Sequence, residues 1–495
     1  MLYPKHVGEF MVYMIFYKIN QKKLHEKMHG THYQLSLVNL FCCAEYRRPR
    51  LVNYEYITMK VKLLPNDDHT NGWSAIAPSR AVHAPASGNK SFDWLIIGGG
   101  YAGLSAARRL AEIHPEQSIA ILEAGVIGDN ASGRNSGFAI DLPHQVGHPD
   151  VEGGRRYARM SREGIKYLEN SVIEHNIKCD WVRQGKLHCA VSKSISSKLL
   201  KPDIQLLEKM GEPFNWLTRE EIAATTGLTH YHSGVYTPGT ALLNPAALVQ
   251  GLADNLPGNV EVYEQSPVIE LITEGGISAK TASAVVTAKR LILAVNGFAG
   301  KFGYMKNRLL PFVLFASLTK KMTEEQQQLL AGHPSWGITP ALGTVGPTLR
   351  RTVDQRLLIR GGFAFSPSFR YSERNRSYFK EMHRNILVKR FPTLAKELDI
   401  EHFWMGWLTM TGNGAPGFGM VEESVYCAVG CGGVGIARQT AAGMAIADLA
   451  TGNDSQMVSD MMSLGQPCSL PGRPIIDLGV NAYLLKEKLS GRIEA

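Results

Sequence analysis

The stretch Phe92-Asp93-Trp94-Leu95-Ile96-Ile97-Gly98-Gly99-Gly100-Tyr101-Ala102-Gly103 decides the fold class of this chain. The six residues that end at Ile97 form a short apolar run, which is typical of a buried parallel strand. Tyr101–Ile113 repeats apolar residues at helical spacing, and Ser118–Leu122 is a second apolar run of strand length. Together these segments predict a βαβ unit of about thirty residues.

Between this strand and helix lies the glycine pattern GxGxxG. We expect Gly98 to make the tight turn, Gly100 to let the backbone approach a pyrophosphate, and Gly103 to let the helix pack closely on the strand. Glu123 follows at the end of the second strand, where a carboxylate accepts hydrogen bonds from ribose hydroxyls and repels a 2′-phosphate. The unit predicts a dinucleotide site, but by itself it does not distinguish FAD from NAD.

Elsewhere the chain alternates between helical and strand patterns. The clearest further signals are a long charged helix, a capping box, a helix that starts with proline, and a strand followed by a glycine turn and a helix. They lie at Val151–Asn176, at Thr218 with Glu221, at Asn244 with Pro245, and over residues 425–450.

The length and composition of the chain limit the classes of function that it can have. The chain has 495 residues, 44% of them apolar, which suits one large domain or two joined ones. A net charge of +9 comes without a nucleic-acid motif, so we expect no nucleic-acid partner. Seven scattered cysteines favour the cytoplasm over an oxidising compartment, and Cys427 with Cys431 lacks a second pair at zinc spacing, so we expect no metal. No apolar stretch is long enough to span a bilayer of ~30 Å.

Six pieces of sequence outside the general pattern carry a more specific signal. They are residues 96–104, 131–137 (Ala-Ser-Gly-Arg-Asn-Ser-Gly), 185–188 (Gly-Lys-Leu-His), 244–246 (Asn-Pro-Ala), 293–297 (Leu-Ala-Val-Asn-Gly) and 432–437 (Gly-Gly-Val-Gly-Ile-Ala). With them, the chain from about Ser91 to its C-terminus resembles the D-amino-acid-oxidase-like flavoproteins, and within them the gamma-glutamylputrescine oxidase group.

That resemblance implies an α/β fold in which a Rossmann-like FAD-binding domain joins a mixed-sheet α+β substrate domain, as in D-amino-acid oxidase and glycine oxidase. We expect the FAD-binding domain at 91–145, 240–310 and 415–455, and the substrate domain at 146–239 and 311–414. Residues 1–58 are expected to be an atypical extension, because their apolar residues follow no sustained helical or strand periodicity. We expect residues 59–90 to form an N-terminal arm and residues 456–495 to form a C-terminal tail that packs on the enzyme.

The resemblance also implies FAD as a non-covalent cofactor. Relatives that tether the flavin use a cysteine ahead of the final glycine motif, and residues 409–416 contain none, while Cys431 lies inside the glycine turn, where the family attaches no flavin. Ser136 and Phe138 stand where the family usually has Gly and Gln, so one polar contact is expected to be lost. The predicted FAD-binding residues are Gly98, Gly100, Tyr101, Ala102, Gly103, Glu123, Ala124, Ser132, Gly133, Arg134, Asn135, Ser136, Gly137, Val268, Asn296, Gly297, Gly432, Gly433, Val434, Gly435 and Ile436.

The implied reaction is FAD-dependent oxidation of a C–N bond in a small amine or amino acid. The neutral amine gives a hydride to flavin N5, water hydrolyses the imine, and oxygen or another acceptor reoxidises the flavin. Candidates for the substrate pocket are His144, Arg350 and Asn413. Arg350, or its neighbour Arg351, would clamp a carboxylate, although either is as readily a solvated arginine. His144 is more often a surface or core histidine, and Asn413 would line the flavin's far edge.

Three alternatives stay open from sequence. A nicotinamide dehydrogenase would use the same βαβ unit and be colourless when purified. A flavoprotein oxidase domain that acts on modified tRNA would need a basic surface and a methyltransferase partner. A flavin-binding redox sensor would be yellow, yet no amine would bleach it. The sequence predicts neither the amine, nor the electron acceptor, nor the oligomeric state.

Overall fold

The computed structural model describes residues 59–490 apart from 66, 144–149 and 344. The expected extension at 1–58 and the pocket candidate His144 lie outside these described residues. The strands are β1 (Met59–Lys60), β2 (Gly88–Ile97), β3 (Ile119–Leu122), β4 (Phe138–Ala139), β5 (Val182–Arg183), β6 (Lys186–Ala190), β7 (Asn215–Thr218), β8 (Ser233–Thr237), β9 (Ala241–Leu242), β10 (Val260–Tyr263), β11 (Glu270–Ile272), β12 (Ile277–Lys280), β13 (Ala284–Leu293), β14 (Leu309–Thr319), β15 (Trp336–Pro340), β16 (Thr348–Arg351), β17 (Leu357–Phe365), β18 (Ile400–Thr411), β19 (Gly417–Glu422) and β20 (Val425–Val429).

Helices connect and cover these strands. They are α1 (Gly72–Ile76), α2 (Tyr101–Ile113), α3 (Val151–Glu174), α4 (Lys193–Ile195), α5 (Lys201–Met210), α6 (Arg219–Thr226), α7 (Pro245–Asp254), α8 (Glu324–Leu330), α9 (Glu373–Arg390), α10 (Gly435–Thr451), α11 (Gln456–Met462) and α12 (Ile475–Ser490), with a π-helical turn at Ser196–Leu200 and a 3-10 helix at Asn296–Phe302. Among the described helices, none combines the length and the apolar character that a membrane crossing requires.

The first sheet is built around the βαβ unit. Its strands run in the order β1-β11-β12-β13-β2-β3-β10, and β20 lies beside β13 with β19 at its edge. Strand β2 is parallel to both β13 and β3, and its last four residues are buried on both faces, which explains the continuous apolar run in the sequence. Helices α2 and α10 pack against each other. They follow β2 and β20, which are both parallel to β13, so their N-termini lie at the same edge of the sheet.

The second sheet is mixed and lies over that edge. Its strand order is β18-β14-β17-β16-β15-β6-β8-β7, with β15 and β6 parallel and the remaining pairs antiparallel. A small sheet, β4-β9-β5, connects the two. Strands from distant parts of the chain are therefore neighbours in the second sheet, and their register decides which side chains share a face.

Several predictions from the sequence are confirmed. The fold is of the α/β class, and the helix at Tyr101–Ile113 has the predicted bounds. The strand Val425–Val429 and the helix Gly435–Thr451 form the strand–turn–helix predicted over residues 425–450. Thr218 and Glu221 form a capping box, and the Asn244 side chain caps the helix that begins at Pro245. The predicted domain boundaries stay a prediction.

Candidate active site

A cavity of about 1630 Å³ lies between the edge of the first sheet and the face of the second. Pockets for drug-sized ligands measure roughly 300–1,000 Å³, so this one is large enough for a dinucleotide together with a small molecule. Its floor consists of the turn before α2, the loop Ala131–Gly137 and the turn before α10, while strands of the second sheet form its roof.

The turn before α2 is shaped for close contact with a ligand. A Cβ atom on Gly100 would lie 2.5 Å from the Ser132 hydroxyl, and a Cβ on Gly103 would lie 1.9 Å from the Gly98 carbonyl oxygen. The N-cap residue Gly100 has no side chain to cap α2, and the Tyr101 N–H donates only a long hydrogen bond, at 3.4 Å, to the Ser132 hydroxyl. The helix dipole at this end favours a negative ligand.

The Glu123 side chain stabilises this turn from the side that faces away from the cavity. Its carboxylate accepts hydrogen bonds from the N–H groups of Gly99, at 2.7 Å, and Gly125, at 3.0 Å, and the side chain is nearly buried. The acid therefore fixes the backbone of the glycine turn. The predicted contact from Glu123 to ribose stays a prediction.

The loop Ala131–Gly137, called here the polar loop, has its carbonyl groups bound from outside the cavity. The bonds come from side chains of distant segments: Asn71 Nδ2 to Gly133 O at 3.3 Å, Trp404 Nε1 to Arg134 O at 3.0 Å, Trp73 Nε1 to Asn135 O at 2.8 Å, and Arg350 Nη1 to Ser136 O at 3.4 Å and Gly137 O at 3.2 Å. Five consecutive carbonyls are thus held away from the ligand.

Because the carbonyls of the polar loop point outward, its amides are free for a ligand. The N–H groups of Arg134, Asn135 and Ser136 have no hydrogen-bond acceptor among the described residues, and all three residues line the cavity. Consecutive free amides form a concave site for an anionic or carbonyl oxygen. The Arg134 guanidinium itself is bound to Asp67 at 3.2 Å and Asp68 at 2.7 Å, so its charge is compensated by the segment before α1.

The turn before α10 forms the far end of the floor. Asn296 has a positive φ of 45°, and its Oδ1 accepts hydrogen bonds from the N–H groups of Gly430 and Cys431, each at 3.2 Å. Helix α10, like α2, has no side-chain cap at its N-terminus. Both uncapped helix ends and the polar loop therefore present main-chain donors to one cavity, which fits the diphosphate and the polar ring edge of FAD.

The roof carries a row of polar side chains that crosses four strands. Arg360 on β17 pairs with Thr348 on β16, the pairing of Leu349 with Ile338 places Thr348 beside Thr339, and Thr339 pairs with His188. All four side chains line the cavity. His188 Nδ1 lies 3.0 Å from the Thr339 hydroxyl, and burial lowers the pKa of His188, which is therefore neutral near pH 7.

Arg360 is the charged member of this row that lacks a partner. Its guanidinium has no hydrogen-bond or ion-pair partner among the described residues. Burial away from bulk water lowers the pKa of Arg360 to about 10, so the group is still charged near pH 7. The half-buried Arg360 charge is costly without a partner, and an anionic ligand would offset that cost.

Apolar side chains and the last helix complete the enclosure. The walls between floor and roof are formed by Phe138, Ile140, Phe312, Leu314, Phe363 and Trp407. Helix α12 covers one side with a stripe at helical spacing that contains Ile476, Val480, Tyr483, Leu484 and Glu487. The opposite face of α12 exposes Leu478, Leu485 and Leu489 to solvent.

The structure places about half of the predicted FAD-binding residues on the cavity surface. These are Gly100, Tyr101, Ala102, Ser132, Arg134, Asn135, Ser136, Asn296, Gly432, Gly433, Gly435 and Ile436. The others lie behind that surface: Gly98, Gly103, Glu123, Ala124, Gly133, Gly137, Val268, Gly297 and Val434. Of this second group, Val268 and Val434 are buried in apolar clusters.

Two pocket candidates require correction. Arg350 does not line the cavity, because its buried guanidinium is bound to carbonyl oxygens of the polar loop and to Leu243 O at 2.6 Å. Asn413 is exposed on the outside, where its Nδ2 donates to Gln466 O at 2.9 Å and its Oδ1 accepts from the N–H of Cys468 at 3.3 Å. Both side chains therefore serve structural contacts.

Sequence reasoning missed Arg360, His188 and Lys186 as cavity residues. The alternation in Lys186–Ala190 contained a usable signal, since residues 186 and 188 lie on the same face of a strand. Arg360 gave no comparable signal, because it joins the other roof residues only through the register of strands β17, β16, β15 and β6.

Comparisons with known proteins agree with this geometry. Residues 93–449 match the family model described as DAO, FAD dependent oxidoreductase. The chain is 26% identical to a probable oxidoreductase OrdL of Haemophilus influenzae, with 80% of this chain and 92% of that protein covered. It is 28% identical to the gamma-glutamylputrescine oxidoreductase of Escherichia coli, with 85% and 99% covered.

Among solved structures, glycine oxidase from Geobacillus kaustophilus superposes with a TM-score of 0.64 at 18% identity, covering 77% of this chain and all of that one. At this identity the likeness shows the fold alone. The family model, in contrast, matches most of the sequence, and the cavity floor fits the cofactor that the model names. The chain therefore belongs to the DAO family of FAD dependent oxidoreductases.

Proposed function

We propose that this enzyme oxidises a carbon–nitrogen bond in a small amine that carries a carboxylate, such as an amino acid. The observation that carries the proposal is Arg360, a charged side chain that faces the cavity without a described partner. The names of two relatives support it, since one is a gamma-glutamylputrescine oxidoreductase and another is a sarcosine oxidase subunit.

When bound, FAD supplies the hydride acceptor. The task of the roof is to hold the substrate over the polar loop in a fixed orientation, and a planar guanidinium at Arg360 binds a carboxylate through two parallel hydrogen bonds. The apolar walls at Phe312 and Phe363 exclude water, which lowers the pKa of an enclosed amine and favours its reactive neutral form. No side-chain base is required.

The test is anaerobic reduction of the purified yellow holoenzyme by a panel of amines and amino acids. We expect amino acids to bleach the flavin and matched amines without the carboxylate to do so at much higher concentration. Arg360→Met should remove this difference by raising the half-saturating amino-acid concentration about tenfold to a hundredfold, the equivalent of one charge-assisted hydrogen-bonded pair.

The matched control is Arg384→Met, which removes an exposed arginine from α9 far from the cavity lining. It should leave flavin content and amine preference unchanged. A holoenzyme that no amine or amino acid bleaches would contradict the proposal and favour a redox sensor. Oxygen consumption in the same assays would tell whether oxygen or another acceptor reoxidises the flavin.

A further inference from the structure

Lys186 and Thr237 face the cavity from neighbouring strands at the end of the roof away from Arg360. Strands β6 and β8 place the two residues directly opposite each other, and both line the cavity. Lys186 is 5% exposed and Thr237 is 3% exposed. Among the described residues, neither the Lys186 ammonium nor the Thr237 hydroxyl has a hydrogen-bond or ion-pair partner. The pair is thus a buried set of donors aimed into the cavity.

Nearby acids do not compensate this ammonium directly. Asp141 lies behind the cavity surface and is bound to Arg162 at 3.1 Å, while Asp203 lies 3.5 Å from His188 Nε2. Burial lowers the pKa of Lys186, whereas the two carboxylates raise it from a distance. Within the described ranges, the Lys186 side chain therefore has no direct ion-pair contact, and an unpaired buried charge is costly unless a ligand binds it.

The distance between the two unpaired cations sets the length of the ligand. Arg360 and His188 are three strands apart in one cross-strand row, and Lys186 lies two residues along β6 from His188. With strands ~4.8 Å apart and a rise of ~3.3 Å per residue, the Cα atoms of Arg360 and Lys186 are separated by about 16 Å. Side chains on strands stand roughly perpendicular to the sheet, so we expect the two cationic groups at a similar separation, which a compact amino acid does not span.

We infer that Lys186 and Thr237 form a distal subsite that binds the acidic end of an extended amine substrate whose carboxylate at the other end binds Arg360. This inference rests on the proposed function, because it places the second end of the same molecule. An ammonium and a hydroxyl together offer donors for both oxygens of a carboxylate, and a neutral amide at this position would leave the lysine charge uncompensated.

Binding without turnover tests the subsite directly. The probes are straight-chain dicarboxylates from succinate to suberate and monocarboxylates of the same length, titrated calorimetrically into the oxidised holoenzyme. We expect the longer dicarboxylates to bind about tenfold more tightly than their monocarboxylate partners, the equivalent of one charge-assisted contact. Lys186→Met should abolish this difference, and Thr237→Val should reduce it. Lys193→Met, which removes an exposed lysine on α4, should preserve it.

The outcomes separate the two proposals. Dicarboxylates that bind no more tightly than monocarboxylates, or a preference that survives Lys186→Met, would overturn the distal subsite even if amino acids reduce the flavin. Failure of every amine to reduce the flavin, with the dicarboxylate preference intact and dependent on Lys186, would remove the proposed reaction and leave an extended dianion site. Flavin content and thermal midpoint of each variant, measured first, identify a variant that has merely misfolded.

Discussion

The floor and the roof of the cavity recognise their ligands in opposite ways. The floor offers main-chain N–H groups from the polar loop and from two uncapped helix ends. The side chains around it mostly bind the floor's backbone from outside the cavity. The roof offers side chains, with Arg360, Thr348, His188 and Lys186 standing on regular strands. Main-chain donors suit a ligand that never changes, and side chains suit one that differs between relatives. From this comparison we expect that cofactor binding and substrate binding can be altered separately.

The strongest test of this separation is Gly100→Val in the floor. The new side chain would begin 2.5 Å from the Ser132 hydroxyl and fill the space reserved for the diphosphate, so we expect purified protein without flavin. Gly258→Val is the control, because nothing lies within 4 Å of a Cβ at that position. Absorbance near the flavin band decides the result, and a yellow Gly100→Val protein would contradict the floor as described.

A smaller effect is expected from Arg350→Met, which changes only a donor behind the floor. The carbonyl oxygens of Ser136, Gly137 and Leu243 lose their charged partner, and the loop amides lose their fixed direction. Affinity for FAD should fall about tenfold to a hundredfold, the range of a hydrogen bond to a charged group. Titration of apoprotein with FAD measures it.

The half-saturating substrate concentration of FAD-loaded Arg350→Met should stay near that of the unaltered enzyme, because Arg350 does not line the cavity. A variant that binds FAD normally but needs much more amino acid would show that Arg350 acts on the substrate, which would contradict its position behind the cavity floor. Arg350→Lys keeps the charge and an N–H donor, so its affinity for FAD should lie between that of the unaltered enzyme and that of Arg350→Met.

At the roof, a pH dependence should report on Lys186. Its folded-state pKa is lowered by burial, so the ammonium is lost as the pH rises through a value below the ordinary 10.5. The groups around it are Asp141, Asp203, Cys189 and His188, and the first two oppose the shift. As the pH is raised, the dicarboxylate preference of about tenfold should therefore disappear before the pH reaches 10.5. A preference constant to pH 11 would exclude Lys186 as its source.

The smallest predicted effect contrasts two threonines of the roof. The Thr348 hydroxyl is buried and has no hydrogen-bond partner in the part of the chain that the structure describes, whereas the Thr339 hydroxyl bonds His188 and the carbonyl of Leu187. Thr348→Val should raise the free energy of unfolding of the apoprotein by about 1 kcal/mol, and Thr339→Val should lower it by a similar amount. Denaturant titration of both variants checks the signs, and equal destabilisation would show that Thr348 has an internal partner after all.

The sequence predicted the cavity floor well and the cavity roof poorly. The floor was predictable because its geometry is local: a strand, a glycine turn and a helix lie within a few residues, and glycines mark the close approaches at Gly100 and Gly103. The roof was not, because Arg360 and His188 share a face only through the register of four strands, three of which are antiparallel neighbours. Arg350 was assigned to the wrong place for that reason.

The way in which the polar loop is held has a consequence for biosynthesis. Its carbonyl groups are bound by Asn71, Trp73, Arg350 and Trp404, and the last of these follows the loop by some 270 residues. While the ribosome is still synthesising residue 300, the glycine turn and Glu123 are complete, but the loop lacks two of its four anchors. We therefore expect the turn predicted to bind the diphosphate to form before the loop predicted to bind the flavin ring. We expect the flavin to become firmly seated only after strand β18 has emerged and joined the second sheet.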